Sequence, residues 1–265
     1  MTFPVYMPLG PWQVHPHALF DVLSYLIGGQ VFWWMRRRAP APSVPFEKMM
    51  WVLVGMAGGA MLGAKLLAYA ESWPVFWAGR GTLATWMSGK TIAGGLIGGW
   101  IGVEVAKRWV CLKESTGDGV VFAVAAGIAV GRFGCYLTGL ADNTYGIASS
   151  LPWAINFGDG IPRHPTQLYE SLFVTLLMWI LWRMRRPQMP QGAIFRAFMA
   201  TYLLFRFGVE FLKPRDLRIA GLSPIQLASL IVAALSAISL WELLRAAAPE
   251  PAMAPARREH EQPTH

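Results

Sequence analysis

Apolar residues along this chain form long runs that short basic segments separate. A membrane-spanning helix needs about 20 mostly apolar residues, because each residue advances the helix by roughly 1.5 Å through a hydrocarbon core about 30 Å thick. The pattern predicts seven such helices, at His17–Trp34, Lys48–Ala70, Thr91–Ala106, Gly119–Gly139, Thr166–Trp182, Gly192–Leu212 and Ser223–Leu244. We therefore expect an all-α, polytopic membrane protein.

Glycines are frequent in the second and third of these spans. Small residues at helical spacing let two helix backbones approach without a side chain between them. We expect close helix packing to be the role of Gly55, Gly58, Gly59, Gly63, Gly94, Gly95, Gly98 and Gly99.

The basic segments indicate how the chain is oriented. Alternate loops, which fall on one side of the membrane, contain Arg36–Arg38, then Lys107, Arg108 and Lys113, then Arg183, Arg185 and Arg186. Basic loops stay in the cytoplasm, so we expect the N-terminus outside and the C-terminus inside, although Lys213, Arg215 and Arg218 fall on the outer side. Residues 1–245 are expected to form a single transmembrane domain, and residues 246–265 a disordered cytoplasmic tail.

Composition supports the membrane interpretation. The chain is 54% hydrophobic and 14% charged, whereas about a quarter of the residues of a soluble domain are charged. The net charge of +8 is spread over clusters between apolar runs, a pattern that favours anionic lipid headgroups over nucleic acid. The segment Met1–His17 has no charged start and no cleavage site, so no signal peptide is expected.

The sequence offers no pattern for a bound cofactor. It contains neither a phosphate-binding loop, nor a dinucleotide fingerprint, nor metal-ligand spacing, so neither cofactor nor metal is expected. Its two cysteines, Cys111 and Cys135, are too few for a disulfide framework and should lie at opposite faces of the membrane.

Polar residues gather instead on the predicted outer side. Arg132 follows the apolar run Val120–Val130, where an arginine costs roughly 2.5–3.5 kcal/mol on insertion scales. Tyr202, Arg206 and Glu210 recur every four residues on one face of the sixth span, so Arg206 and Glu210 should pair. The remaining polar groups of this side include Asp142, Asn143, Arg163, His164, Gln167, Tyr169 and Glu170.

Each of these residues also has a purely structural explanation. Arg206 and Glu210 can be a structural pair, His164 a loop histidine, Arg132 a snorkelling side chain, and Tyr202 part of an interfacial belt. Their convergence at one membrane face favours a site. Two arginines beside acceptors suit a phosphate headgroup, which a guanidinium holds through paired hydrogen bonds.

Three motifs resemble the bacterial prolipoprotein diacylglyceryl transferase family: "GRFG" (131–134), "RHPTQLYE" (163–170) and "FRFGVEF" (205–211). The stretches "GLIGG" (95–99) and "LSPIQLASL" (222–230) match more loosely, and the resemblance covers roughly Leu19–Leu244. It implies a seven-span enzyme of the bacterial inner membrane. Such enzymes move diacylglyceryl from phosphatidylglycerol to the lipobox cysteine of a prolipoprotein signal peptide and release glycerol phosphate.

The resemblance also implies a set of site residues. The catalytic candidates are Arg132, Arg206, Glu210, Tyr202 and His164. The substrate-binding candidates are Arg132, Gln167, Tyr169, Arg163 and Asp142.

The chain departs from the family pattern at three positions, which indicates a divergent paralogue. Ala93 stands where the family has the histidine of its His-Gly-Gly motif, Cys135 replaces an asparagine, and Leu140 replaces a glutamate. The missing histidine leaves His164 or Asp142 as the nearby base. The missing glutamate, with Asp142 beyond the end of the span, predicts a partly unpaired guanidinium on Arg132.

Three functions remain open at this stage. The first is diacylglyceryl transfer to a lipobox thiol. The second keeps phosphatidylglycerol as the donor and changes the acceptor, and the third is lipid binding or transport without chemistry. Cys135 is either a small packing residue or a nucleophile or reactive thiol near the lipid.

Overall fold

The computed structural model describes residues 3–38, 44–79, 82, 89–186, 189–214 and 219–247, and these are mostly helical. The helices are α1 (Pro16–Arg38), α2 (Phe46–Glu71), α3 (Trp73–Ala78), α4 (Ile92–Trp109), α5 (Gly117–Thr138), α6 (Thr166–Met184), α7 (Ala193–Val209) and α8 (Pro224–Ala246). Short 3₁₀ turns at Gly139–Asp142 and Glu210–Leu212 extend α5 and α7. Two small antiparallel hairpins pair β1 (Met7–Leu9) with β2 (Trp12–Val14), and β3 (Ile155–Asn156) with β4 (Pro162–Arg163).

Each predicted span corresponds to one of the long helices. Four of them are long and apolar enough to cross a membrane: α1, α2, α5 with its 3₁₀ turn, and α8. The count of seven crossings and the orientation stay predictions. The sequence pattern missed α3 and the two hairpins, which are too short to show a periodicity. The predicted tail falls almost wholly on residues 248–265, outside the described residues.

Large apolar side chains cover the outside of the bundle. Many are more than half exposed, among them Val54, Met61, Leu62, Leu66, Leu172 and Ile231. A water-soluble protein rarely exposes contiguous apolar surface on this scale, since it would associate with other molecules. This surface suits a hydrocarbon environment.

Glycines of α2 and α4 pack the two helices backbone to backbone, as the sequence predicted, except that Gly58 contacts nothing there. A Cβ atom built on Gly98 would press against the backbone of Gly59 and lie 2.8 Å from the Cα atom of Gly63. Gly55 and Gly102 face each other in the same way, one further turn along the helices. The absence of side chains is therefore what lets α2 and α4 touch.

Helix α5 is the centre of the bundle, because it packs against α1, α6 and α7. Its small residues Ala125 and Ala129 belong to the buried core, together with Phe198 and Tyr202 of α7. The hydroxyl of Ser171 on α6 donates a 2.9 Å hydrogen bond to the carbonyl of Ala129, which fixes α6 against α5. The polar groups of three helices are thereby brought to one level.

The first turn of α7 is capped from another helix. The carboxylate of Asp118, in the first turn of α5, accepts hydrogen bonds from the backbone N–H groups of Gly192 at 2.6 Å and Phe195 at 2.9 Å. Gly192 has a φ of +86°, a conformation that favours glycine. A negative charge at a helix N-terminus also complements the helix dipole, so Asp118 ties the start of α5 to the start of α7.

At the other end of α5 the N-terminal segment and the 139–165 loop cover the bundle. Phe157 is 2% exposed and packs its ring edge-on against Phe3 at 5.2 Å and Tyr136 at 5.9 Å. The backbone of this loop is tied down as well, since the His164 N–H donates to the carbonyl of Ile147. The loop is therefore an ordered cover over the polar end of the bundle.

Candidate active site

Glu170 of α6 is the centre of a buried polar cluster. Its Oε2 atom lies 2.9 Å from Nη2 of Arg132 and accepts a 2.8 Å hydrogen bond from Nη1 of Arg206. Its Oε1 atom accepts a 2.5 Å hydrogen bond from the Tyr202 hydroxyl. All four side chains are buried. One carboxylate therefore joins α5, α6 and α7, which supply Arg132, Glu170 and the Tyr202–Arg206 pair respectively.

A second carboxylate extends this cluster along α7. Nη2 of Arg206 donates to Oε2 of Glu210 at 3.1 Å, which confirms the pair predicted from their spacing. Nζ of Lys213 lies 4.0 Å from the same oxygen. Burial and the charge of Arg206 lower the pKa of Lys213 to about 7, so this lysine can exist in either protonation state near neutral pH.

Arg132 has a carboxylate partner that was not predicted, although Nε of its guanidinium is unpaired among the residues that the structure describes, as expected. The guanidinium pairs with Glu170, a residue 38 positions further along the chain, and not with an acid near it in sequence. The sequence places Glu170 at the start of its span but does not reveal which helix it faces. Helix packing supplies the partner that Leu140 does not.

Each of the two guanidinium groups nevertheless has one N–H donor without a partner among the described residues. The Nε atoms of Arg132 and Arg206 are buried and make no hydrogen bond within the described part of the chain. The side-chain amide of Gln167, which is 1% exposed, also makes no hydrogen bond within the described residues. A buried polar group without a partner costs free energy, so a ligand that accepts these hydrogen bonds gains what the free protein lacks.

Both arginines line a cavity of about 1460 Å³. Its polar end also contains Lys213, Asp142 and Cys135. From there the cavity continues between α1 and α2 to apolar side chains that include Phe32, Trp33, Met50, Leu53 and Met56. The cavity therefore has the polarity of an amphiphile, charged at one end and apolar along its length.

A second polar cluster lies on the wall of this cavity. Nδ1 of His17 is 3.0 Å from Oδ1 of Asp142, and one ligand atom each of His17, Cys135 and Asp142 lies within 4.8 Å of the others. His17 was not predicted from the sequence, and no metal ligands were expected, because spacing along the chain does not relate α1 to α5. The available signal was His17 followed by Asp21 at the start of an apolar span, where ionisable residues usually have a function.

Six of the nine predicted site residues lie off the cavity wall: Tyr202, Glu210 and Gln167, which are buried, and the three residues His164, Tyr169 and Arg163. Nδ1 of His164 lies 3.2 Å from the hydroxyl of Tyr169, and that hydroxyl accepts a 2.8 Å hydrogen bond from Trp153. Arg163 bonds to Asp159 at 2.6 Å and stacks over Tyr145. These three residues organise the 139–165 cover, while Arg132, Arg206 and Asp142 line the cavity.

Comparison with known proteins decides the family. The model of the prolipoprotein diacylglyceryl transferase family matches residues 4–242. The chain belongs to this family. It is 30% identical to the phosphatidylglycerol–prolipoprotein diacylglyceryl transferase of Nitratidesulfovibrio vulgaris (strain Miyazaki F), covering 91% of this chain and 93% of the relative. The enzymes of that name from Geobacter sulfurreducens and Coxiella burnetii are 31% and 33% identical, over 83% and 80% of this chain and 85% and 82% of their own.

Two of the positions expected to depart from the family pattern are Ala93 and Cys135. Ala93 is fully buried in the hydrophobic core at the start of α4, and its methyl group cannot transfer a proton. Cys135 is half-buried, lines the cavity and lies 3.8 Å from Nη1 of Arg132.

Proposed function

We propose that this chain transfers a diacylglyceryl group from phosphatidylglycerol to the cysteine thiol of a prolipoprotein. One observation carries the proposal: in a member of this family, two buried arginines share Glu170 at the charged end of an apolar cavity. A buried cluster of this kind is expensive to keep in a membrane. A site that binds a lipid phosphate accounts for that cost.

The dimensions of the cavity suit a lipid with two acyl chains. His17 and Trp33, both on α1, line its opposite ends. At about 1.5 Å per residue the cavity extends roughly 24 Å along the helix. One leaflet contributes about half of a 30 Å hydrocarbon core, so an acyl chain of ordinary length fits beside α1 while the headgroup stays with the arginines.

Arg132 and Arg206 are the proposed phosphate ligands. A guanidinium presents its donors as a planar fork that matches two phosphate oxygens. Their free Nε atoms supply the additional donors, and Glu170 holds both planes in place until the lipid arrives. Tyr202 and Glu210 position Glu170 and Arg206 through the hydrogen bonds described above.

The arrangement favours displacement at the glyceryl carbon bonded to the phosphate oxygen. The acceptor thiolate forms the sulfur–carbon bond, the carbon–oxygen bond breaks, and the electron pair leaves with glycerol phosphate. Negative charge grows on the phosphate as it leaves, and fixed cations that stabilise such charge are commonly the largest contribution to catalysis. The two arginines fill that role.

The predicted residues outside the cavity wall take supporting roles in this proposal. His164, Tyr169 and Arg163 hold the cover that closes the charged end. Gln167 is buried next to Thr166 at the start of α6, behind the cavity wall. Their contribution is to shape and close the site.

We further propose a multi-pass location in the bacterial inner membrane with the C-terminus in the cytoplasm. Arginines in the last turns of α1, α6 and α8 lie over tryptophan rings, in the pairs Arg38–Trp34, Arg183–Trp179 and Arg245–Trp241. Trp34 and Trp182 are 5.4 Å apart, so the ends of α1 and α6 are at one level. Tryptophan and arginine at one level are typical of a membrane interface.

The test is lipid transfer by the purified protein. We expect a lipobox peptide to gain the mass of diacylglycerol when it is incubated with the protein and phosphatidylglycerol. Arg206→Lys should lower the transfer rate by at least about 100-fold, the loss that removing one catalytic hydrogen-bond donor commonly causes. The matched control is Arg196→Lys, on the same helix, where Nε bonds to Ser239 outside the cavity wall. An unmodified peptide with wild-type protein would overturn the proposal.

A different acceptor for the same lipid is the second candidate. It is favoured by Ala93 and Cys135, since both replace polar groups of the family motif. Lipid extracts of deletion and wild-type cells distinguish the candidates, because the second predicts a new phosphatidylglycerol-derived product and unchanged lipoproteins. Phosphatidylglycerol that stays intact in both assays indicates lipid binding without chemistry.

A further inference from the structure

The cluster of His17, Cys135 and Asp142 has the composition of a transition-metal site. Imidazole nitrogen, thiolate sulfur and carboxylate oxygen are the ligands that zinc takes in proteins. The ligand atoms of tetrahedral zinc lie about 3.4 Å apart, because zinc–nitrogen and zinc–oxygen bonds are roughly 2.1 Å long. Nδ1 of His17 and Oδ1 of Asp142 are 3.0 Å apart, and the three ligand atoms lie within 4.8 Å of one another.

The contact between His17 and Asp142 is close but is not an aligned hydrogen bond. Nδ1 is buried and makes no hydrogen bond of good geometry within the described residues, although Oδ1 is only 3.0 Å away. A shared cation between them satisfies both.

Each of the three ligands also has an outer partner that holds it in place. Nε2 of His17, the ring nitrogen that faces away from the cluster, lies 3.4 Å from Asp21. The Thr144 hydroxyl donates to Oδ2 of Asp142, the oxygen that does not face His17. Nη1 of Arg132 contacts the sulfur of Cys135 at 3.8 Å. Metal-binding histidines usually have such a carboxylate behind them, and it fixes the ring orientation.

The arrangement differs from a nucleophile relay. In a relay the imidazole stands between the thiol and the carboxylate and uses one ring nitrogen for each. Here one ligand atom of each residue lies within 4.8 Å of the other two, so the three form a triangle. A triangle with its open side toward a cavity corresponds to a metal with three protein ligands.

We propose that His17, Cys135 and Asp142 bind a zinc ion whose fourth position faces the lipid cavity. All three residues line that cavity. The thiolate and the carboxylate supply two negative charges, which balance the ion in spite of the nearby Arg132. Thiolate and imidazole together favour zinc over magnesium or calcium, which take oxygen ligands.

On the proposed function, this ion activates the acceptor. The acceptor thiol loses its proton to solvent when its sulfur takes the fourth position, and the bound thiolate then forms the bond to the glyceryl carbon. The electron pair of the broken carbon–oxygen bond leaves with the phosphate held by Arg132 and Arg206. The zinc lowers the pKa of that thiol, so the step needs no protein base at the position of Ala93.

The test is metal binding by the full chain, purified in detergent without a polyhistidine tag. We expect elemental analysis to find one zinc ion per chain. After removal of the zinc, added cobalt should produce the near-ultraviolet thiolate-to-cobalt absorption. Cys135→Ser and His17→Ala should lose stoichiometric binding, and Asp21→Asn should weaken it about 10- to 100-fold. The matched control Cys111→Ser changes the other, exposed cysteine and should keep the ion and the absorption.

The outcomes separate this inference from the proposed function. Wild-type protein that folds but holds no stoichiometric metal and gives no cobalt–thiolate band overturns the zinc site, even where lipid transfer proceeds. A covalent lipid adduct on Cys135 without metal overturns it in favour of a nucleophile. Zinc binding without lipid transfer keeps the site and removes its role toward the acceptor. If Cys135→Ser does not fold, the cobalt absorption of wild type is compared with that of Cys111→Ser. Equal absorption in the two proteins assigns the thiolate to Cys135, and its loss in Cys111→Ser overturns the proposal.

Discussion

Arg132 and Arg206 approach the same oxygen atom of one carboxylate, Oε2 of Glu170, at 2.9 and 2.8 Å. Two like charges at this separation are stable together because the shared anion lies between them. Removing Glu170 would leave two guanidinium groups buried and mutually repelling. The stability of the bundle therefore depends on Glu170, the last residue of the stretch "RHPTQLYE".

Glu170→Ala should destabilise the protein by about 3–5 kcal/mol, since breaking a buried ion pair leaves uncompensated charge. Glu170→Gln should lose less, because the amide oxygen still accepts from Tyr202 and the arginines. Thermal unfolding in detergent measures both. Glu104→Ala is the control, because Glu104 forms an exposed pair with Lys107 worth at most about 1 kcal/mol. Equal stability of the two alanine variants would contradict the shared-anion arrangement.

Arg132→Lys should lose most phosphatidylglycerol binding while the protein stays folded. An ammonium can keep the ion pair with Glu170, but it cannot offer the planar fork or the free Nε donor. Native mass spectrometry or lipid-dependent thermal shifts measure the binding, with Arg196→Lys as the matched control. If Arg132→Lys binds the lipid as wild type does, Arg132 is an anchor for Glu170 and not a headgroup ligand.

Gly98→Ala and Gly58→Ala should change stability in opposite directions. A Cβ on Gly98 would lie 2.8 Å from Cα of Gly63 and force α2 and α4 apart, a loss on the order of 1–3 kcal/mol. A Cβ on Gly58 of α2 meets nothing within 4 Å, and alanine in a helix is about 0.5–1 kcal/mol more stable than glycine. Unfolding midpoints of the two variants test the direct backbone contact, which a loss of equal size in both would rule out.

Lys213 predicts a specific pH dependence. Burial and Arg206 lower its pKa from 10.5 to about 7 in the folded protein, so the unfolded chain binds more protons between these values. The free energy of unfolding should therefore rise with pH from about 7 to 10.5, by at most about 1.4 kcal/mol per pH unit. Below pH 7 the titration of Lys213 should not change it. The measurement is the difference in unfolding free energy between wild type and Lys213→Met across pH.

The matched control for that series is Lys107→Met, in the last turn of α4. The rise with pH should be larger for Lys213→Met than for this variant, which removes an amine that pairs with Glu104. A flat or falling difference for Lys213→Met would contradict a neutral lysine at this position. Both variants remove one amine, so the comparison isolates the effect of burial.

Local features of this fold could be predicted from the sequence, because they depend on neighbours along the chain. Helix α6 begins at Thr166 as predicted, directly after Pro165. Helix α8 begins after Ser223, whose capping box with Gln226 is a recognisable start signal. The Arg206–Glu210 pair follows from a separation of four residues.

The partners of Glu170 and His17 could not be predicted in this way. Their contacts join residues on different helices, and the rotation of each helix about its axis decides which side chains meet. That rotation is set by packing, such as the bond from Ser171 to the backbone of Ala129. A hydrophobic pattern identifies an apolar helix but barely distinguishes its faces when the whole surface is apolar.

The cap that Asp118 provides for α7 determines where this bundle can open. Two backbone hydrogen bonds fasten the starts of α5 and α7 to each other, and sliding either helix along the other would break both. Toward their far ends the two helices meet through buried side chains, among them the cluster around Glu170. A displacement of α7 that keeps both hydrogen bonds is restricted to a rotation about its first turn, which would move Arg206 and Glu210 the most. The position of Arg206 relative to Arg132 thus depends on a contact at the opposite end of the bundle.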